Sequence, residues 1–275
     1  MKKKINSISV FTKGDSKNRA IIFIHGFPFD HTIWQPQIEM LSDKYYCIAY
    51  DVRGLGDSSA QDGQFTMESF VDDLSKIMDE MNLNKVILCG HSMGGYISLR
   101  ALERMQEKFS AVILIDTVSS ADNNEGKLKR AAAIKRINND GLEPFVKDFI
   151  TLCYGDAYKN EHKEEFEKRV ALSASFNPLG VKGCIFAMLS RNDTTHYLSN
   201  ITIPSLLICG KDDTLTPSFM MENMAKEIKN SKFVLIKNSA HMSAVENSAD
   251  VNSAINLFLK KTVGNSVCVS QYQVV

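Results

Sequence analysis

The chain carries no net charge: 32 Lys and Arg residues are matched by 32 Asp and Glu residues among 275. Holding nucleic acid or steering an acidic substrate requires an excess of positive charge, so this balance argues against a nucleic-acid partner and favours a small, roughly neutral one. No apolar stretch is long enough to span a bilayer, and no membrane partner is expected. The N-terminus opens with Lys2-Lys3-Lys4, but Ile5-Asn6-Ser7-Ile8-Ser9 interrupts any apolar core of a secretory signal. The expectation is a soluble, cytoplasmic protein. The cysteines (Cys47, Cys89, Cys153, Cys184, Cys209 and Cys268) form no Cys-x-x-Cys pair, and three of them fall in or at the end of predicted buried strands, so reduced thiols are expected. There is no P-loop, no Gly-x-Gly-x-x-Gly after a strand and no His-Glu-x-x-His, so neither cofactor nor metal is expected.

With 44% apolar residues the chain can build a substantial core, and its length suits one large α/β domain carrying an insertion or two small domains. Short β-branched runs alternate with helix-length amphipathic segments. The strands read as continuously apolar rather than alternating, as burial on both faces of a parallel sheet demands. Strands are predicted at 5–11, 20–25, 45–51, 85–89, 111–116, 205–209 and 232–237, with helices near 32–42, 66–82, 93–108, 217–229 and 247–261. The rhythm stops between Val118 and Asn200, where four charged amphipathic stretches appear around 125–138, 142–153, 161–175 and 179–190. Gly141, Gly155, Asn177 and Pro178 punctuate them, and strand signals resume after Ile203-Pro204. The division expected is a core at 1–117 and 201–262, an inserted helical cap at 118–200, and a tail at 263–275 with no assigned role.

The most informative segment is Gly90-His91-Ser92-Met93-Gly94, placed between the apolar run Lys85 to Cys89 and the helical spacing that begins at Tyr96. A strand that must turn into a helix within about three residues strains the backbone at the serine. Glycines two before and two after leave room for that turn, and the exposed hydroxyl stands beside the first free amides of a helix. Ser92 is therefore the candidate nucleophile.

A serine hydroxyl needs a base within hydrogen-bond reach and a third group to orient that base. His241, in the loop after the last strand and before the last helix, is the best candidate. His162 and His196 sit in the polar insertion and read as surface, His31 opens a helix, and His25 and His91 are tied to their own turns. For the acid, Asp213 in the turn Gly210 to Pro217 is favoured over Asp116 at the end of Val112 to Ile115. Adjacent Asp212 reads as a turn residue capping the next helix. The oxyanion of acyl transfer needs two preorganised backbone donors. The elbow supplies the amide of Met93, and the loop after Ala20 to His25 supplies that of Phe27, where Gly26 permits close approach.

His25-Gly26-Phe27-Pro28, Asp51 to Ser58, Gly90 to Gly95, the Gly210 to Pro217 turn and His241 together resemble the α/β-hydrolase superfamily, in order and spacing, from about residue 8 to 260. The resemblance implies an eight-stranded, mostly parallel sheet with a cap over the site. It supports Ser92, Asp213 and His241 as a triad, with Phe27 and Met93 as oxyanion donors. A serine in the elbow, where dehalogenase- and epoxide-hydrolase-like relatives carry aspartate, points to an acyl-enzyme and to ester, thioester or amide chemistry. Hydrolysis of a small to medium, uncharged carboxylic ester is the leading expectation. Lactonase, carbon–carbon hydrolase and cofactor-free perhydrolase activities are alternatives of the same fold, and a weakly catalytic, ligand-sensing receptor is a further one. Among the apolar residues of the insertion, Phe149 and Phe186 are candidate substrate contacts, joined by Trp34 from the helix near the first oxyanion loop. Packing of the insertion against the sheet accounts for most of the rest.

Overall fold

A computed structural model describes residues 1–262, and the tail at 263–275, with Cys268, lies outside the described residues. One eight-stranded sheet runs in the order β1-β2-β4-β3-β5-β6-β7-β8. Its strands are β1 (Lys2–Ile5), β2 (Ile8–Lys13), β3 (Ala20–Ile24), β4 (Tyr46–Tyr50), β5 (Val86–His91), β6 (Phe109–Ile115), β7 (Ser205–Gly210) and β8 (Ser231–Ile236). The β1–β2 and β2–β4 pairings are antiparallel and all the others are parallel. Every residue of β3, β5 and β7 is buried, which explains why these strands read as unbroken apolar runs.

The single strand expected over 5–11 is instead a hairpin. Asn6 and Ser7 both adopt positive φ, 45° and 68°, and this mirror-image turn matches the twist of the flanking strands. Asn tolerates that conformation readily; Ser gives little sequence warning of it. The hairpin adds the eighth strand at the sheet edge.

The helices of the core are α1 (Gln35–Leu41), preceded by a 3₁₀ turn over His31–Trp34, α2 (Met67–Glu80) and α3 (Met93–Met105). Residues Phe70, Val71, Leu74, Ile77 and Met78 give α2 one buried stripe at helical spacing, and Thr66 with Ser69 closes a reciprocal cap at its start. Between β6 and β7 the chain leaves the sheet to form α4 (Asn124–Asp140), α5 (Leu142–Cys153), α6 (Asp156–Glu161), α7 (Lys163–Ala174) and α8 (Pro178–Leu189). The stretch predicted around 161–175 is α7, and the short α6 before it, which the sequence reading does not anticipate, is set off from it at His162, whose φ −119° and ψ 41° leave helical geometry. Of these five, α5 and α8 bury broad apolar faces, whereas α4 and α7 each bury one residue, Ile137 and Ser173. The chain then completes the core with α9 (Ser218–Glu227), α10 (Ser243–Glu246) and α11 (Ser248–Thr262). Parallel pairing brings the carboxyl ends of β3, β5, β6, β7 and β8 to one edge of the sheet, where open α/β folds place their sites.

Candidate active site

Strand β5 ends at His91 and helix α3 begins at Met93, leaving Ser92 alone to make the turn. Its backbone sits at φ 51° and ψ −114°, a conformation a side-chain-bearing residue adopts only under constraint. The constraint is visible: the Ser92 amide donates to the Ile115 carbonyl at 3.0 Å, and the Thr117 hydroxyl donates to the Ser92 carbonyl at 2.8 Å. A Cβ on Gly94 would fall 2.1 Å from the Ile24 carbonyl oxygen, so the helix can press against β3 only with glycine there.

The structure brings His241 and Asp213 to this serine. Nε2 of His241 lies 2.9 Å from the Ser92 Oγ, and Nδ1 lies 2.8 Å from Oδ2 of Asp213. Asp213 also accepts the Leu215 and Thr216 amides on Oδ1, both at 2.8 Å, and the Thr216 hydroxyl on Oδ2 at 2.6 Å. A carboxylate with this many donors stays ionised. Burial opposes the charge, but the imidazole and the Thr216 donors outweigh it and hold the carboxyl below its usual range. The proton on the imidazole therefore belongs on Nδ1, and Nε2 faces the hydroxyl as an acceptor. Burial also works against an imidazolium at His241; the Asp213 carboxylate overcomes it, with Asp116 and Glu246 adding to the pull, and the net direction is upward from 6.5. Ser92, Asp213 and His241 are 9%, 5% and 3% exposed, so bulk water does little to screen this chain of hydrogen bonds.

The other candidate acids are engaged elsewhere. Asp116 accepts the Gly210 amide at 2.8 Å on one oxygen, and the Ser243 amide and hydroxyl at 3.0 and 2.6 Å on the other. It clasps the ends of β6 and β7 to the start of α10. Burial, then the nearby Asp213 charge, pushes its carboxyl up to about 8. Asp212 is exposed in its turn. His91 donates from Nε2 to the His241 carbonyl at 2.7 Å, while burial and the neighbouring His241 push its pKa down to about 3 and keep it neutral. His25 is held between the Gly26 carbonyl and the Val52 amide, each at 2.8 Å. His162 and His196 are exposed.

The loop after β3 approaches the elbow closely. A Cβ on Gly26 would lie 2.5 Å from the His91 Nδ1 and 3.0 Å from the Ser92 Cβ, so only glycine allows this contact. Neither the Phe27 amide that follows nor the Met93 amide at the start of α3 has an acceptor among the described residues. Above them, the Phe27 ring meets Phe149 edge-on at 5.4 Å and Phe145 at 6.3 Å, so α5 lies over this loop.

Trp34 and Phe186 depart from the expectation that they contact substrate. Trp34 is fully buried, packed at 5.3 Å on Phe23 and edge-on to His91 at 6.4 Å, with no face free for a ligand. Phe186 is 50% exposed and lines an outer groove with Phe65, Leu179 and Leu189. The reason lies in α8: Val181, Cys184, Ile185 and Met188 turn inward, which leaves Leu179 and Phe186 on the opposite face. Two residues that the sequence leaves unremarked, Glu246 and Thr216, bear on the histidine and its acid.

Among the described residues, two clusters have spacing that a metal ion could use, Asp30 with His31 and Asp51, and Asp116 with Cys209 and Asp213. In both, the carboxylates are already engaged. Asp51 accepts the His31 and Asp57 amides at 2.9 and 2.8 Å as well as the His31 ring at 2.7 Å, and burial pushes the Cys209 thiol up, away from the thiolate a metal would bind.

Residues 19–248 match the family model for the alpha/beta hydrolase fold. The chain is similar to a thermophilic esterase from Thermogutta terrifontis, with 30% identity, a TM-score of 0.90, and 95% of this chain and 99% of that one covered. It is 28% identical over 240 residues to 3-oxoadipate enol-lactonase 1 of Acinetobacter baylyi, covering 87% of this chain and 88% of that enzyme. A bromoperoxidase from Bacillus anthracis superposes with a TM-score of 0.84 at 25% identity, over 94% of this chain and 99% of that one.

Proposed function

The chain belongs to the α/β-hydrolase fold family, and from that premise we propose that it is a hydrolase of esters or lactones that cleaves a small to medium, uncharged carboxylic ester through an acyl-enzyme on Ser92. The observation that carries this reading is the imidazole of His241, set between the Ser92 hydroxyl at 2.9 Å and the Asp213 carboxylate at 2.8 Å. In this scheme Ser92 Oγ attacks the carbonyl carbon as its proton moves to Nε2 of His241. The resulting imidazolium is held by Asp213, and the tetrahedral oxyanion by the amides of Phe27 and Met93. The carbonyl re-forms, the alcohol leaves with the proton from Nε2, and water repeats the sequence on the acyl-enzyme to release the acid and restore Ser92.

The surroundings favour an uncharged acyl group. Phe27, Phe145 and Phe149 offer aromatic surface above the elbow, and the ionised Asp213 beneath it repels a second carboxylate. The inserted helices act here as a cap, with α5 bounding the acyl chain. The similarity to an enol-lactonase favours a second reading, since a lactone is an internal ester and the same steps open it.

Reaction with a fluorophosphonate, which requires an activated serine, tests the shared premise. Rapid labelling and hydrolysis of p-nitrophenyl acetate and butyrate are expected, with turnover reduced about 10⁴-fold or more in Ser92→Ala. A wild-type protein that resists the probe and cleaves none of these esters would overturn the proposal. A five- or six-membered lactone cleaved faster than every p-nitrophenyl ester would favour the second reading.

A further inference from the structure

We propose that Glu246 is a positioning residue that ties the inserted helices to the backbone of the catalytic histidine, an inference that rests on the hydrolase reading of His241. Glu246 closes α10, five residues beyond His241. One carboxylate oxygen, Oε1, accepts the amides of Ala240 at 3.0 Å and Met242 at 3.1 Å, the two residues that flank His241. The other, Oε2, accepts the amide of Gly155 at 2.8 Å, from the turn between α5 and α6. The histidine's own carbonyl is held at 2.7 Å by His91. Side chains therefore grip the backbone of the base on both sides and at its centre, and one of those grips extends into the insertion.

The arrangement is too specific for general packing. Burial disfavours a carboxylate at this depth and pushes the Glu246 carboxyl above its usual range, yet the side chain lies where three backbone donors converge. The seat is also tight, since a Cβ on Gly155 would come within 3.0 Å of Oε2. Helix α5, which ends just before Gly155, carries Phe145 and Phe149 over the Phe27 loop. A displacement of α5 thus pulls on Oε2, and through Oε1 on the two residues that set the imidazole. An acyl group seated under α5 and the base that must act on it are placed by one side chain.

The charge of Glu246 also reaches the imidazole. The groups facing His241 are Asp213 from the turn after β7, Asp116 from the end of β6, His91 from β5 and Glu246 from α10. Those facing Glu246 are His241 and, from the insertion, Cys153, Tyr154 and Tyr158. Removing the charge lowers the proton affinity of His241, so the acidic limb of the rate profile moves to lower pH.

The test compares Glu246→Gln and Glu246→Ala in the full chain. A glutamine keeps one acceptor oxygen and turns a donor amide toward a donor N–H, so it breaks one side of the bridge at nearly constant volume; alanine removes both sides. For p-nitrophenyl butyrate, kcat/KM is expected to fall about 10- to 100-fold in Glu246→Ala, the scale of a slightly misplaced catalytic group. In Glu246→Gln the acidic limb is expected to shift downward by about half a pH unit or more. Hydrogen exchange at the amides of Gly155, Ala240 and Met242 is expected to accelerate together in Glu246→Ala, and on the broken side of the bridge in Glu246→Gln. Titration of the His241 imidazole by NMR reports the same shift without turnover, so a wild type that cleaves no ester would sink the hydrolase reading and still leave this link measurable. If Glu246→Ala does not fold, Glu246→Gln carries the test. Unchanged exchange at the three amides with an unmoved His241 titration would overturn the proposal.

Discussion

The sheet edge that holds Ser92, Asp213 and His241 and the inserted helices above it are built to different tolerances. At the edge, Ser92 is locked at positive φ by the Ile115 carbonyl and the Thr117 hydroxyl, Asp213 is held by Leu215 and Thr216, and Asp116 fastens β6, β7 and α10 together. In the insertion, α4 and α7 bury one residue each, and Leu128, Leu172 and Phe186 face solvent. Their ion pairs, Glu125 with Lys129 and Glu164 with Lys168, are exposed i,i+4 contacts that water screens and that add little to the anchoring of these helices. On the proposed reading, proton transfer demands fixed geometry whereas bounding an acyl chain demands only shape, and the rigid strands suit the first task and the loosely anchored helical layer the second.

The sharpest way to break this contrast is at the two buried aspartates of the sheet edge. Asp213→Asn is expected to lower kcat about 10⁴-fold, because an amide facing Nδ1 no longer selects the productive tautomer or steadies an imidazolium. Asp116, whose carboxyl is pushed upward by burial and the Asp213 charge, accepts from Gly210 and Ser243 and makes no hydrogen bond to the imidazole. Asp116→Asn therefore keeps the shape of a group that does not touch the imidazole. It is expected to leave kcat within about tenfold while lowering stability by roughly 1–3 kcal/mol through the amides it mispairs. Steady-state kinetics with thermal unfolding separates the two, and a reversal of their order would move the acid to Asp116. Next in size is Gly26→Ala, whose Cβ would press on both His91 and Ser92. Displacing the Phe27 amide is expected to reduce kcat about 10²- to 10³-fold, as for loss of one oxyanion donor.

Much of the sheet edge was legible in the residues because its constraints are local. The spacing of the glycines around Ser92 marks a strand-to-helix turn within five residues, even though Gly94 also makes room for β3, and the apolar runs of β3, β5 and β7 follow directly from burial on both faces. Legibility fails where the cause is distant or has no marker. The Asn6-Ser7 turn hides inside an apolar strand, since Ser at positive φ is an uncommon choice. Glu246 looks like any helix-end carboxylate until the fold brings Gly155, 91 residues away, to its oxygen. In the insertion, helical spacing alone cannot say which face turns inward. Phe149 and Phe186 read alike, yet one meets Phe27 and the other faces an outer groove.

A smaller effect is expected in the pH dependence of acylation. His241 must be neutral to accept the Ser92 proton, and its pKa is raised, by Asp213 acting against burial. The rate is therefore expected to rise with pH through a midpoint above 6.5, falling about tenfold for each unit below it. Single-turnover acylation between pH 5 and 9 measures this, and a flat profile would exclude His241 as the base.

The least drastic change tests the insertion against itself. Phe149 packs edge-on against the ring of Phe27, so Phe149→Ala opens space above the elbow. It is expected to raise KM several-fold for short acyl esters while shifting preference toward longer ones, a methylene's worth of contact being about 1–3 kcal/mol at most. Phe186, half exposed on the far face of α8, should contribute almost nothing: Phe186→Ala is expected to change kcat/KM less than twofold and stability by no more than about 0.5 kcal/mol. Comparing the two variants across p-nitrophenyl esters from acetate to octanoate reads out the difference. Equal changes in chain-length preference would mean that the inserted layer moves as one body and that position within it matters less than its docking on the sheet.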